Sequence, residues 1–312
     1  MPIYAAIDVG TNTIRLLVAE ADAPGDFRLV SEEQAITRLG EDLLRTGSLK
    51  EEAMVRTTAV LRRYAEIARR HGAEAVLAVA TSAVREAMNG EDFSAKVLEE
   101  TGLALRIIPS EEEARLAILG VSRALGFPSE DLLVLDVGGG SVEFALARDV
   151  RPKAIISTDL GVVKLTEGFL KSDPPTLGEL QALREAIRRR IKGVRASLPD
   201  LRGALLVGTG GTATTLAAIH LKLVVYDPEK VNGTSLSLEQ VEGLLRSLAK
   251  MSHRERLQVP GLEQGREDLI VAGAAVVLET MQGLSFPSLL ISDGGLREGI
   301  LLDLLERRFK PS

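Results

Sequence analysis

Apolar and polar positions alternate in blocks along nearly the whole chain. Ile3 to Val9 is an apolar run with β-branched residues, Gly10-Thr11-Asn12 is a small polar turn, and Thr13 to Val18 is a second run: strand, turn, strand. Phe27-Arg28-Leu29-Val30 predicts a third strand of the same meander. The plan returns later. Leu132 to Val137 leads into Gly138-Gly139-Gly140, Val142 to Leu146 leads away, and Ala154 to Thr158 predicts the third strand. Asp8 and Asp136 hold the same place in the two copies, 128 residues apart. That offset is too long for a solenoid repeat and about right for one domain, so the pattern predicts a duplicated domain.

Between and after these meanders the period changes to that of helices. Ser48-Leu49-Lys50-Glu51 reads as a capping box opening a helix to about His71, which Gly72 stops. Ala75 to Ala80 predicts a buried strand, Thr81-Ser82 leads into a helix carrying Arg85, and Glu91 to Thr101 predicts another helix. Leu105 to Ile108 predicts a strand, and Ser110 with Glu113 reads as a capping box for a helix to about Leu125. In the second half, Leu180, Leu183, Ile187, Ile191 and Val194 recur at helical spacing after an Asp173-Pro174-Pro175-Thr176 loop. Two more strands end in glycines that feed helices: Leu205-Leu206-Val207 before Gly208-Thr209-Gly210-Gly211-Thr212, and Leu289-Leu290-Ile291 before Ser292-Asp293-Gly294-Gly295. Helices near Leu238 to Ala249 and Leu269 to Met281 lie between them. Strands alternating with helices define an α/β fold.

Composition narrows the function. The 312 residues are enough for two domains. Aromatics are 3% with no Trp, which argues against base stacking on single-stranded nucleic acid, and a net charge of −6 argues against non-specific binding to nucleic acid or membranes. A polyanionic ligand would have to meet local cations, backbone N–H groups and a divalent metal. There is no Cys, and His71, His220 and His253 have no metal-like spacing, which argues against phosphocysteine or zinc chemistry. The N-terminus enters a strand without a leader pattern, and Leu269 to Leu278 is too short to span a bilayer. These features predict a cytoplasmic protein.

The two glycine turns are the candidate chemistry. Gly-rich turns expose backbone N–H groups to an oxyanion, although an ordinary hairpin uses the same residues. The turn at Gly210 and Gly211 aims helix N–H groups at its contents in the same way. Capping and the helix macrodipole account for Glu111, Glu112 and Glu113, and Arg188-Arg189-Arg190 reads as a solvated face, with a polyanion site the second reading.

Taken together, Asp8-Val-Gly-Thr-Asn-Thr, Arg38-Leu-Gly, Ala80-Thr-Ser-Ala-Val-Arg85, Glu111-Glu-Glu-Ala-Arg-Leu, Asp136-Val-Gly-Gly-Gly-Ser-Val-Glu143, Gly208-Thr-Gly-Gly-Thr and Ser292-Asp-Gly-Gly-Leu-Arg-Glu resemble the exopolyphosphatase and guanosine pentaphosphate phosphohydrolase family, a branch of the actin-like ATPase superfamily. The resemblance covers essentially the whole chain and is closest to the family's short form. It implies two ribonuclease-H-like domains, 1–125 with 299–312 and 126–298, with the active site in a cleft between them. It implies hydrolysis of a terminal phosphoanhydride in inorganic polyphosphate or guanosine pentaphosphate, a link to the stringent response, and a homodimer.

The resemblance places the catalytic base on Glu112, left over once Ser110 and Glu113 serve as caps, with Asp136 and Glu143 beside it. Phosphate contacts are expected from Gly10, Thr11, Asn12 and Thr13, and from Gly138, Gly139, Gly140 and Ser141. Arg38 and Arg85, with Gly210 and Gly211, are further contacts, and Arg15 a weaker one. Magnesium is the expected cofactor, held by Asp8, Asp136 and Glu143. Two other readings are a non-catalytic binder of guanosine tetra- or pentaphosphate that regulates a partner, and a kinase of the same superfamily.

Overall fold

The computed structural model describes residues 1–309, so 310–312 of the expected terminal helix lie outside the described residues. The chain divides into two compact units, Met1–Gly120 with the residues from Leu296 on, and Val121–Gly295. The expected boundaries fell at 125/126 and 298/299. No linker marks the first division, which falls inside a helix.

The first unit contains β1 (Ile3–Val9), β2 (Thr13–Glu20), β3 (Arg28–Ile36), α1 (Leu43–Thr46), α2 (Glu51–Arg70), β4 (Ala73–Ala80), α3 (Ser82–Glu86), α4 (Gly90–Thr101), β5 (Leu105–Ile107) and α5 (Ser110–Ala124). Its sheet runs β3-β2-β1-β4-β5, with β1 antiparallel to β2 and parallel to β4. Side chains of β1 alternate between two cores, as the two-residue period requires. Ala5, Ile7 and Val9 meet Leu61, Tyr64, Phe93 and Val97 of α2 and α4 on one face. Tyr4 and Ala6 meet Leu116 and the terminal helix on the other.

The second unit contains β6 (Leu132–Val137), β7 (Val142–Arg148), β8 (Arg151–Thr158), α6 (Val162–Phe169), α7 (Leu177–Ser197), β9 (Leu205–Thr209), α8 (Gly210–His220), α9 (Pro228–Val231), β10 (Ser235–Ser237), α10 (Leu238–Leu248), α11 (His253–Arg256), α12 (Ile270–Leu284) and β11 (Ser288–Ile291). Its sheet runs β10-β11-β9-β6-β7-β8. Read from β8, this is the order of the first sheet with one antiparallel edge strand added, so the duplication expected from Asp8 and Asp136 is real. Every residue of α12 from Ile270 through Met281 is buried, which explains why all but Glu279 and Thr280 are apolar or small. The final helix, α13 (Leu296–Phe309), belongs to the first unit. Gly299 lets it touch α5, because a Cβ there would lie 1.9 Å from the Leu116 carbonyl oxygen. No described helix is long and apolar enough to cross a membrane.

Two local expectations are corrected. The residue capping α2 is Lys50, without a side-chain cap, and Ser48 stands two positions outside. The entry is instead fixed from a distance: Leu49 N–H donates to Asn89 Oδ1 (2.8 Å) and Asn89 Nδ2 donates to the Leu49 carbonyl (3.0 Å). The Arg188-Arg189-Arg190 run is not purely a solvated face, since Arg188 pairs with buried Glu279 and Arg190 with Asp159.

A capping box passed over in the sequence opens α7, where Thr176 and Glu179 bond reciprocally. Hydrogen bonds from the backbone of Thr176 and Lys171 hold the Glu179 carboxyl down at about 2. A depressed acid stabilises the fold above its ordinary pKa, and that contribution fades as pH falls through the folded value. The difference in melting temperature between wild type and Glu179→Ala is therefore expected to be constant above about pH 4.5 and to shrink toward zero near pH 2. Thermal melts across that window check it.

Candidate functional site

In each unit the first hairpin closes with the same bond. Gly10 N–H donates to the Thr13 carbonyl (3.1 Å) and Gly138 N–H donates to the Ser141 carbonyl (3.0 Å). A Cβ on either glycine would lie 2.9 Å from that carbonyl oxygen, so both positions need glycine. The central residues, Thr11 and Asn12 in one turn and Gly139 and Gly140 in the other, donate no backbone hydrogen bond to the described residues.

Each turn is backed by a second segment. In the first unit, Thr37 and Arg38 N–H both donate to the Asn12 carbonyl (3.0 Å each), and Gly40 N–H donates to Thr11 (2.8 Å). Arg38 has φ +51, a strained value for a residue with a Cβ, at one of the expected phosphate contacts. In the second unit, Val162 and Val163 at the start of α6 donate to the carbonyls of Gly138 and Gly139 (3.0 and 2.9 Å). Gly161 lies so close that a Cβ would be 2.2 Å from the carbonyl carbon of Gly140. Backbone meets backbone there, so Gly161→Ala is expected to cost about 1–3 kcal/mol. Gly178→Ala, with nothing within 4 Å, should be harmless or stabilising by comparison. Paired denaturant titrations check this.

Strand register sorts the acids. Across the second sheet Ser157, Glu143, Asp136 and Thr209 stand in one row on one face. Glu143 is 2% exposed and accepts from Ser157 Oγ at 2.8 Å. The matching row of the first sheet is Gln34, Arg15, Asp8 and Val79. Arg15 thus occupies the place of Glu143, beside Asp8, and its Nε donates to Gln34 Oε1 (2.8 Å).

The three glutamates of α5 separate. Glu111 is exposed. Glu112, expected to be the uncommitted one, is bound by Arg106 Nη2 (2.5 Å), with Arg115 (3.7 Å) and Arg307 (3.9 Å) nearby. The same arginines hold buried Asp303 of α13. Glu113, expected to be a cap, is 7% exposed and its carboxylate meets Arg85 Nη1 at 3.0 Å. Arg85 also donates to the Ile108 carbonyl (2.8 Å). One residue along a helix turns the side chain by about 100°, which decides which acid enters which cluster.

At the start of α8 the glycines are covered by side chains. A Cβ on Gly210, at φ +79, would lie 2.7 Å from Asp136 Oδ1. One on Gly211 would lie 2.2 Å from Arg266 Nη1. Arg266 is 9% exposed and also pairs with Glu263 (2.5 Å). It was missed in the sequence, where nothing local links it to a glycine 55 positions earlier. The second unit thus gathers Asp136, Glu143, Gly138 to Ser141, Gly210, Gly211 and Arg266. The first places Asp8, Gly10 to Thr13 and the Arg38 backbone together, and holds Arg85 with Glu113 as a pair of its own.

Two α/β units of this topology define the ribonuclease-H-like, actin-like ATPase class. Within that class the chain belongs to the Ppx/GppA phosphatase family, whose pattern matches residues 17–308. It is 36% identical over 312 residues to exopolyphosphatase 2 of Mycobacterium tuberculosis H37Rv, covering 96% of this chain and 98% of that one. Exopolyphosphatase 1 of Mycobacterium leprae is 32% identical, covering 96% of this chain and 88% of its own. Among solved structures, a Ppx/GppA family member of Aquifex aeolicus superimposes with a TM-score of 0.83 at 35% identity, covering 99% of this chain and all of that one. An exopolyphosphatase of Cytophaga hutchinsonii gives 0.88 at 28% identity, covering 98% of both chains.

Proposed function

We propose that this protein is an exopolyphosphatase that releases orthophosphate from the end of inorganic polyphosphate. The observation that carries the reading is the duplicated glycine turn, whose central N–H groups have no acceptor among the described residues and whose flanking strands carry Asp8 in one copy and Asp136 with Glu143 in the other. Backbone N–H groups of Thr11, Asn12, Gly139 and Gly140, with the hydroxyls of Thr13 and Ser141, bind phosphoryl oxygens. Arg38, Arg85 and Arg266 supply cationic contacts. Glu113 orients or deprotonates the attacking water, a role that the resemblance had given to Glu112. The exopolyphosphatase relatives favour polyphosphate, and guanosine pentaphosphate is a second substrate because it ends in the same phosphoanhydride.

Magnesium fits the donors present. Asp136 and Glu143 face each other across β6 and β7 as two hard oxygen ligands, and no group of three metal-binding side chains occurs among the described residues. One or two carboxylates plus phosphate and water is the set that magnesium prefers. When bound, the ion offsets negative charge on the transferring phosphoryl group. Asp8 is the first unit's counterpart of Asp136.

The test is phosphate release from polyphosphate and from guanosine pentaphosphate, with magnesium and with chelator. Release from polyphosphate that stops on chelation is expected. Nucleotide binding without any release would overturn the proposal in favour of a sensor, and a phosphorylated acceptor would overturn it in favour of a kinase.

A further inference from the structure

The glycine turns, acids and arginines of the proposed site leave out a strongly cationic segment of the chain. Arg188 to Arg195 carries five cations and no acid, in a protein whose net charge is −6. Two of the five are engaged: Arg188 with Glu279 and Arg190 with Asp159. Arg189, Lys192 and Arg195 are exposed and form no ion pair among the described residues. Arg195 adds only a minor pull on Asp200, whose carboxyl is lowered first by the backbone N–H and guanidinium of Arg202.

These three residues stand at steps of three along α7, while Leu183, Ile187, Ile191 and Val194 fill the opposite, core face. Each step rises about 4.5 Å and turns about 60° back around the helix, which makes an oblique row of cations on the outer face. Complementing the helix dipole does not account for the row. That effect fades within the last turn, and Arg189 lies eight residues before Ser197. The helix is also tied toward the glycine turn. Arg190 holds Asp159, and two residues on, Gly161 packs against Gly140.

We infer that the outer face of α7 is a docking track for a linear polyanion, through which Arg189, Lys192 and Arg195 hold phosphates of a polyphosphate chain beyond its terminal unit. The inference rests on the proposed substrate and adds a second, non-catalytic surface for it. Charge complementarity selects the occupant. Singly spaced, solvent-facing cations with no aromatic residue among them match a flexible chain of phosphates and offer nothing to stack on a base.

The test uses the triple variant Arg189→Glu, Lys192→Glu, Arg195→Glu. Its control changes charge equally elsewhere: Arg69→Glu, Lys250→Glu, Arg254→Glu. Affinity for long-chain sodium polyphosphate is read by direct binding over a salt series, and phosphate release is read on long chains and on tripolyphosphate. The α7 variant should bind long chains at least about tenfold more weakly, with a salt slope shallower by about two, one increment of about 0.7 for each lost contact. KM should rise on long chains alone, and melting temperature and tripolyphosphate turnover should match wild type. Equal loss in the control variant, or unchanged binding in the α7 variant, overturns the track. Tighter competition by duplex DNA than by polyphosphate overturns the occupant. Wild type that releases no phosphate from either polymer defeats the functional proposal itself, which the binding arm measures separately.

Discussion

Glu113→Gln is expected to lower phosphate release by about 10²–10⁴-fold, while Glu112→Gln stays within about tenfold of wild type. A general base needs a carboxylate that is oriented but not neutralised from every side. Glu112 lies within 4 Å of three guanidinium groups, in a lattice whose other anion is Asp303. Glu113 is 7% exposed and meets Arg85, which is itself anchored on the Ile108 carbonyl. Arg85 therefore works as a clamp that fixes the direction of the acid. Glutamine keeps the shape and the bond to Arg85 but cannot take a proton, so the loss should fall on kcat with KM little changed. Steady-state kinetics of both variants, with melting temperatures beside them, check this. Collapse of kcat in Glu112→Gln with Glu113→Gln active would return the role to Glu112.

Arg85→Lys belongs to the same argument. Both contacts are made by Nη1, whose two protons the planar guanidinium aims in fixed directions, whereas a lysine ammonium rotates freely, so turnover should suffer even though the charge is kept.

What the sequence disclosed, and what it hid, divides by the range of the interaction. The paired hairpins were legible because their cause is local. A two-residue hydrophobic period makes the strands, and turns that admit no Cβ demand Gly10 and Gly138 in both copies. Parallel β4, β9 and β11 were legible as short apolar runs between helices. The glutamate triplet was not, because capping statistics name the acids of a first turn without fixing their phase. Arg106 and Arg85, on different elements, decide it. Ser48 failed as a cap for a similar reason, since Asn89 satisfies the backbone at Leu49 from 40 residues away. Arg266 and Gly161 owe their places to contacts made only after folding. Helix α1, four residues between Asp42 and Gly47 in left-handed conformations, has no periodic signal at all.

The largest loss of stability is expected at a residue unconnected with the chemistry. Glu279→Ala should destabilise the fold by about 3–5 kcal/mol. Its carboxylate, 1% exposed on α12, accepts from Arg184 Nε (2.5 Å) and from Arg188 Nε and Nη2 (2.7 and 3.2 Å). That bond raises the Arg188 pKa above its ordinary value. Truncating the acid leaves two cations beside an apolar helix with no counter-charge. Arg188, about half exposed, can swing into water, whereas Arg184 is 24% exposed and less able to escape. The loss should thus lie near the lower end of the range and should shrink further in the Arg184→Met background. A double-mutant cycle over Arg184 and Glu279 should return a coupling of about 1–3 kcal/mol. Replacing all three side chains with methionine should be close to neutral, because burying charges costs nearly what pairing them returns. Denaturant titrations of the single, double and triple variants separate these terms. A Glu279→Ala loss under about 1 kcal/mol would mean that water already reaches the pair and that α7 is held to α12 by Leu183, Ile187 and Ile191 alone.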